Sequence, residues 1–275
     1  MRLASIHLYP VKSLGGVDVP EAAVEPWGLR GDRRWLALNP DGTYLTARTA
    51  PRMLGITAVP RPDGGLDLTG LDGTVLHVDP PHGGQPAPTS MTRLDRVRLA
   101  GADAHGWLSA QLGQPLRLGW LDDPGRRSVA LDHGGQPGDL LNLSDAGPVL
   151  LASTASLRLL NDWIAQGAVE RGEDLPEPLP MARFRPSVVV DGAVEPFAED
   201  GWQRVRIGDT LFRFAEQCDR CALTLIDTTT FTSGREPIRT LARHRARDGK
   251  TWFAVRLVPV GGPSLIRVGD PVTVD

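Results

Sequence analysis

The residues best suited to chemistry in this 275-residue chain are its two cysteines, Cys218 and Cys221, which stand three positions apart with Asp219 and Arg220 between them. A thiolate is a nucleophile and a soft-metal ligand, and a neighbouring guanidinium favours the ionised form while offering a planar fork to a phosphate or sulfur ligand. Several uses compete for such a pair. A structural zinc site needs roughly four ligands, yet the six histidines are scattered and no second cysteine pair exists. An iron–sulfur cluster needs four thiolates, or two with two suitably placed histidines, so the chain cannot hold one on its own cysteines and carries no ferredoxin-type relay. A thioredoxin-like pair opens a helix after a strand, whereas both flanking segments here read as strands. Two readings stay open: both cysteines are small buried hydrophobes, or one ligates a metal that an organic cofactor brings.

Arginine outnumbers lysine 28 to 2, which marks Lys12 and Lys250 for attention. A lysine offers a compact point charge where arginine offers a fork, so Lys12 in Tyr9-Pro10-Val11-Lys12-Ser13 fits a phosphate contact; an exposed turn lysine is the alternative. The formal net charge of -3 gives no positive field for phosphate backbones, and the only basic run is Arg243 to Arg247, so nucleic acid is excluded as a partner. The N-terminus lacks the apolar core of a signal peptide, and no segment approaches about 18 uninterrupted apolar residues, so no membrane is expected and a cytoplasmic location is.

The elements that must position these residues are mostly strands. Apolar and polar residues alternate over 2–11, 33–39 and 66–70, with turn signals at Gly15-Gly16, Asp41-Gly42, Asp63-Gly64-Gly65 and Asp72-Gly73. Helical spacing appears over 103–112, with Asp103 as N-cap and Gly113 as stop, and over 153–167, capped by Ser153 or Thr154 and closed by Gly167. Strands are expected again over 185–192, 202–218 and 221–228, a helix over 236–245, and closing strands over 251–260 and 266–274. The Pro/Gly-rich stretch after Leu121 suggests a division into domains 1–124 and 125–275.

Six segments, YPVKSLGG, GLRGDRRWLALNPDGTYLTARTAPRM, RFRPSVVVDG, EQCDRCALTLIDTTT, REPIRTLARHR and IRVGDPV, fall in an order and spacing that resembles the MOSC-domain proteins carrying an N-terminal MOSC-type β-barrel. This subgroup includes the mitochondrial amidoxime-reducing component and its bacterial relatives. The likeness covers the whole chain, more weakly over 60–140. It implies a mainly β fold with helices (α+β), in which an N-terminal β-barrel-like domain packs on a C-terminal MOSC β-barrel.

It implies further that the chain binds the molybdenum cofactor (Mo-molybdopterin), with Cys221 as the protein's metal ligand and Cys218 its neighbour. Cofactor-binding residues carried over by motif are Lys12, Ser13, Arg33, Thr46, Arg48, Arg185, Ser187 and Arg220. For Arg33 and Arg48 a solvated strand face is the competing reading. Ser187 stands where the subgroup usually has asparagine, so a hydroxyl or water must serve there for the longer amide. Ser144, Asp145, Ser153 and Thr154 read as caps first and site lining second. The family also carries an association with pyridoxal phosphate binding. The activity implied is reduction of N-hydroxylated compounds such as amidoximes, hydroxylamines and N-hydroxylated bases, with electrons from a separate ferredoxin- or flavin-type protein, since the chain ends at Asp275 without a fused ferredoxin domain. A carrier of molybdenum cofactor or sulfur on Cys221 and Cys218, or a structural β protein, are the other classes.

Overall fold

In the computed structural model, which describes residues 1–192 and 195–275, the largest sheet has nine strands. Along its main path they run Val272–Val274, Arg204–Ile207, Thr210–Asp219, Lys250–Val260, Val149–Ser153, Val188–Asp191, Arg2–Leu8 and Val17–Val19, with Ala246–Arg247 added to Lys250–Val260 as a hairpin. Leu3, Ile6 and Leu8 turn inward from the strand Arg2–Leu8, and a register shift between Leu3 and Ser5 accounts for the break in strict alternation. They pack with Val149, Leu151, Val188, Val190, Phe212, Val255 and Leu257 into one core. Smaller sheets, Trp35–Leu38 with Arg117–Trp120, Arg96–Leu99 and Pro86–Pro88, and Thr57–Pro60 with Leu66–Thr69 and Val75–Val78, enclose a second core around Trp35, Met53, Leu68, Leu108 and Trp120. The architecture is mainly β with helices, as the alternating patterns require.

The division expected at residue 124 does not follow the sheets. Arg2–Leu8 pairs with Val188–Asp191, and Glu21–Glu25 pairs with Ser264–Arg267, so the first strands of the chain build into sheets with its last ones. Edge hydrogen bonding across long sequence separation decides this, and composition carries no sign of it.

Three helices are described. Thr154–Glu170 is capped by Ser153, whose hydroxyl accepts from Ser156 N. It runs past Gly167, which is buried within the helix, and the left-handed turn comes at Gly172. The helix is the crossover between the parallel strands Val149–Ser153 and Val188–Asp191. In Ala102–Leu112 the cap is Gly101 with no side-chain bond, and Asp103 lies in the first turn where it faces the positive end of the dipole; Gly113 ends the helix in the left-handed region as expected. The third, Ile238–His244, lies inside the segment expected to be helical.

The segment after the cysteines is not the expected strand. The strand Thr210–Asp219 ends before it, Cys221 caps a 3-10 turn over Ala222–Leu225, and Thr224 turns back to bond the Cys221 carbonyl through both its N (3.1 Å) and its Oγ1 (3.0 Å). Local side-chain-to-backbone bonding here overrides the β preference of a Thr/Ile-rich run.

Three loops are tied together beneath the gap between the two cores. The fully buried carboxylate of Asp32 accepts from Tyr9 N at 2.7 Å, pairs with Arg33 Nη1 and receives Asn142 Nδ2 at 3.5 Å. Arg127, also fully buried, donates to the carbonyls of Thr92 (3.1 Å), Asn142 and Ser144 (2.7 Å) and so fixes the loop 142–147. Removing one partner of a buried ion pair leaves an uncompensated charge, so Asp32→Ala should cost about 3–5 kcal/mol in urea unfolding. The cap variant Ser153→Ala should cost only about 1 kcal/mol. Equal losses in the two variants would contradict the central role of Asp32.

Candidate functional site

The loops fixed by Asp32 and Arg127 open a cleft of about 820 Å³, including its mouth, between the two cores. Lys12 and Ser13 reach it from the loop after the first strand, Arg33 from the turn before Trp35–Leu38, and Thr46 and Arg48 from the turn that follows. Ser144, Asp145 and Gly147 come from the loop held by Arg127. Phe184 and Arg185 come from the turn before Val188–Asp191. The strand end and 3-10 turn add Cys218, Asp219, Arg220 and Cys221, and Arg256 rises from the middle of Lys250–Val260.

Eight of the nine residues expected from the sequence therefore share one cleft: Lys12, Ser13, Arg33, Thr46, Arg48, Arg185, Arg220 and Cys221. Ser187 does not line it. It is fully buried behind the wall, where its Oγ accepts from Leu150 N at 3.3 Å and Arg33 Nη1 at 3.4 Å, so it holds Arg33 and the neighbouring strand. Neither Arg33 nor Arg48 lies on a solvated strand; both sit in turns. Asp145, read first as a cap, is the ion partner of Lys12. Arg256 and Asp219 had no signal in the sequence, because a charged residue within an apolar strand points to a site only when the opposite wall is known.

Three of the eight non-glycine residues with positive φ among the described residues line the cleft. Among the described residues Ser13, Arg33 and Arg185 adopt φ of 69°, 48° and 54°, in the left-handed region that non-glycine residues rarely occupy. Such conformations cost of order 1–3 kcal/mol each and persist only when surroundings over-determine them. Arg33 is held by Asp32 and by donating from Nη2 to the Arg185 carbonyl at 3.1 Å; the Arg185 guanidinium lies over the Tyr9 ring at 4.1 Å. Gly147 is needed for clearance, since a Cβ would stand 2.7 Å from Arg256 Cβ.

Six cations, Lys12, Arg33, Arg48, Arg185, Arg220 and Arg256, converge on the cleft against two lining carboxylates, Asp145 and Asp219, in a chain whose net charge is negative. Lys12 is buried, donating from Nζ to Asp145 Oδ1 at 2.5 Å and to the Leu143 carbonyl at 3.0 Å. The ammonium holds the Asp145 carboxyl well below the usual carboxylate range. Burial lowers Arg185 to about 10, which leaves it charged at neutral pH. Burial also weighs against the charge of Arg256, but Cys218, Glu216 and Asp219 outweigh it and raise the pKa; Nη2 donates to Asp219 Oδ1 at 2.8 Å and Nη1 pairs with Glu216. Arg185 and Arg48 have no carboxylate in ion-pair contact among the described residues.

At the other end of the cleft the two cysteines differ. Cys218 is buried and Cys221 is exposed. Arg220 donates from Nη1 to Cys218 Sγ at 2.8 Å and from Nη2 to the Phe184 carbonyl at 2.9 Å, strapping the cysteine turn to the turn that carries Arg185. Cys221 is exposed, and the Arg48 side chain lies within hydrogen-bonding reach of it. Among the described residues no group of three or more His, Cys, Asp or Glu is placed to hold a metal, so a metal bound at Cys221 needs most of its ligands from a non-protein group. Nor is any described helix long and apolar enough to cross a membrane.

Comparison with known proteins identifies the family. A family model described as the MOSC N-terminal beta barrel domain matches residues 1–115, and one described as the MOSC domain matches residues 138–273. The chain is 32% identical over 290 residues to mitochondrial amidoxime-reducing component 1 of Mus musculus, covering 98% of this chain and 81% of that protein. It is 31% identical over 298 residues to the Homo sapiens protein of the same name, covering 98% and 82%. It is also 31% identical over 265 residues to molybdenum cofactor sulfurase of Danio rerio, covering 93% of this chain but only 31% of that protein. With both family models in order along the chain and relatives above 30% identity spanning nearly all of it, the chain belongs to the MOSC-domain family with the N-terminal MOSC beta barrel.

Proposed function

We propose that this chain is a molybdenum-cofactor oxidoreductase that reduces N-hydroxylated compounds, amidoximes among them, to the corresponding amidine or amine. One observation supports it most: six cations converge in a cleft that ends at an exposed thiol, Cys221, which suits a ligand anionic at one end and metal-bearing at the other. The names of the relatives point to the same cofactor and substrate class. In this reading Lys12, Ser13, Arg33, Thr46, Arg48 and Arg185 hold the phosphate and pterin end, and Cys221 ligates the metal. When bound, the cofactor supplies two-electron chemistry: N–OH, two electrons and two protons give N–H and water.

The protein's share is placement. Burial lowers the Lys12 pKa, whereas Asp145 opposes that shift and aims the ammonium; Ser187 keeps Arg33 in its strained turn; Arg220 holds the cysteine turn at a fixed distance from Arg185. Arg220 thus acts as a strut as well as a cation. The electrons come from a separate ferredoxin- or flavin-type protein, and a cytoplasmic location belongs to the same reading. Pyridoxal phosphate has no part in it.

A carrier of molybdenum cofactor or sulfur is the second reading, favoured by the presence of Cys218 in the same cleft and by the likeness to the sulfurase. The two separate cleanly on the cysteines. Protein from a host competent in cofactor synthesis should hold near-stoichiometric molybdenum by mass spectrometry, lost or labile in Cys221→Ser, with Cys218→Ser still able to reduce benzamidoxime from an artificial electron donor. Loss of function in both variants alike would favour the carrier, and absence of both metal and pterin from the wild type would sink the reductase.

Removing a charge-assisted bond to the anionic end should also be visible in the cofactor itself. Lys12→Gln should weaken pterin retention about ten- to a hundredfold, equivalent to about 1.5–3 kcal/mol, read as pterin fluorescence extracted from the washed protein. Unchanged retention would remove Lys12 from the site.

A further inference from the structure

We propose that the hairpin of Ala246–Arg247 and Lys250–Val260 is the docking surface for an acidic electron-transfer protein, through Arg247, Lys250 and Trp252. This rests on the reductase reading above. The turn 246–250 is exposed throughout, and both cations lie over one indole: Arg247 Cζ is 5.3 Å and Lys250 Nζ 5.6 Å from the Trp252 ring centroid. Trp252 Nε1 donates to the Arg247 carbonyl at 3.0 Å, and Arg247 Nη2 donates to Gln217 Oε1 at 2.7 Å, so the group is held in place before any partner arrives. Trp and Arg in such fixed clusters carry a disproportionate share of interface energy. The nearby acids are Asp248 Oδ2, 3.5 Å from Arg247 Nε, and Asp219 Oδ2, 3.7 Å from Lys250 Nζ. Exposed pairs of this kind are weak, and they leave both cations available.

The location is what ties the hairpin to the site. Asp219 stands opposite Trp252 in the sheet, and Arg220 N donates to the Thr251 carbonyl at 2.8 Å. The hairpin is therefore one strand spacing, about 4.8 Å, from the strand end that leads into Cys221. A partner seated on it sits beside the mouth of the cleft. An anion in the cleft neutralises the cations that line it, whereas Arg247 and Lys250 lie outside and keep their charge toward solvent. Electron-transfer encounters use small interfaces steered by charge, and a patch of two cations over one indole suits an acidic donor.

The test titrates the full-length protein with an acidic plant-type [2Fe–2S] ferredoxin at low salt, by calorimetry and by following the Trp252 indole N–H resonance. Wild type should bind, with affinity falling as salt rises. Arg247→Glu with Lys250→Glu should bind at least about tenfold more weakly, while the distant surface variant Arg96→Glu binds as wild type. No binding by wild type, or equal binding by the double variant, overturns the proposal. In a separate arm, reduction of benzamidoxime by the cofactor-loaded protein with reduced viologen should be the same for wild type and double variant. A loss in the variant also overturns the proposal, because the effect would then lie in the site. Absence of viologen-driven turnover in both would sink the reductase reading and leave the binding arm to decide docking.

Discussion

The buried carboxylate of Asp32 is the interaction on which the cleft depends. A carboxylate without water is costly unless every lone pair is met, and here the partners come from three separate loops: Tyr9 N, Arg33 and Asn142. Burial raises the Asp32 pKa, and Arg33 with the Tyr9 N–H opposes it. Satisfying that charge brings together the loop with Lys12 and Ser13, the turn with Arg33 and the loop with Asp145. Arg127 does the same from the other side with three carbonyls. The two buried charges thus add fixed polar ties to loops that are also anchored by buried apolar residues such as Val11, Leu14 and Leu143.

On that frame the cleft is held in a state that would be unfavourable alone. Like charges are gathered and three non-glycine residues take left-handed backbone conformations. Two of the three are held by named contacts: Arg33 by Asp32, Ser187 and the Arg185 carbonyl, and Arg185 by the Tyr9 ring. Such preorganisation means that an entering anion meets donors already in place and loses little to their reordering. The cysteine turn follows the same logic, with Arg220 bridging Cys218 and the Phe184 carbonyl so that Cys221 projects at a fixed place relative to the cationic end.

Much of the site was legible in the residues. Lys12 stood out because arginine bias makes lysine rare, and it proved to be buried and ion-paired. The strand patterns and the Ser153 cap follow from local periodicity and hydrogen-bonding chemistry, and they held. Where the structure departed from expectation, contacts of two ranges decided the outcome: Ser187 turns away from the cleft to bond Leu150 N and Arg33, far along the chain, whereas the run after Cys221 curls because Thr224, three residues on, bonds back to the Cys221 carbonyl.

By itself the sequence determined the β-rich class, the caps and turns, the cysteine pair and the rarity of Lys12, since these depend on side-chain chemistry and short-range spacing; most of the other cleft residues came from the likeness to the MOSC-domain proteins. Only the tertiary structure decided that the first strand joins the C-terminal sheet, that Arg256 and Asp145 belong to the cleft, that Cys218 is buried while Cys221 is open, and that the Arg247–Trp252 hairpin borders the same mouth. These are matters of which backbone edges pair across two hundred residues and which buried charges must be neutralised. Both are settled by the whole fold, and no local segment of the chain encodes them.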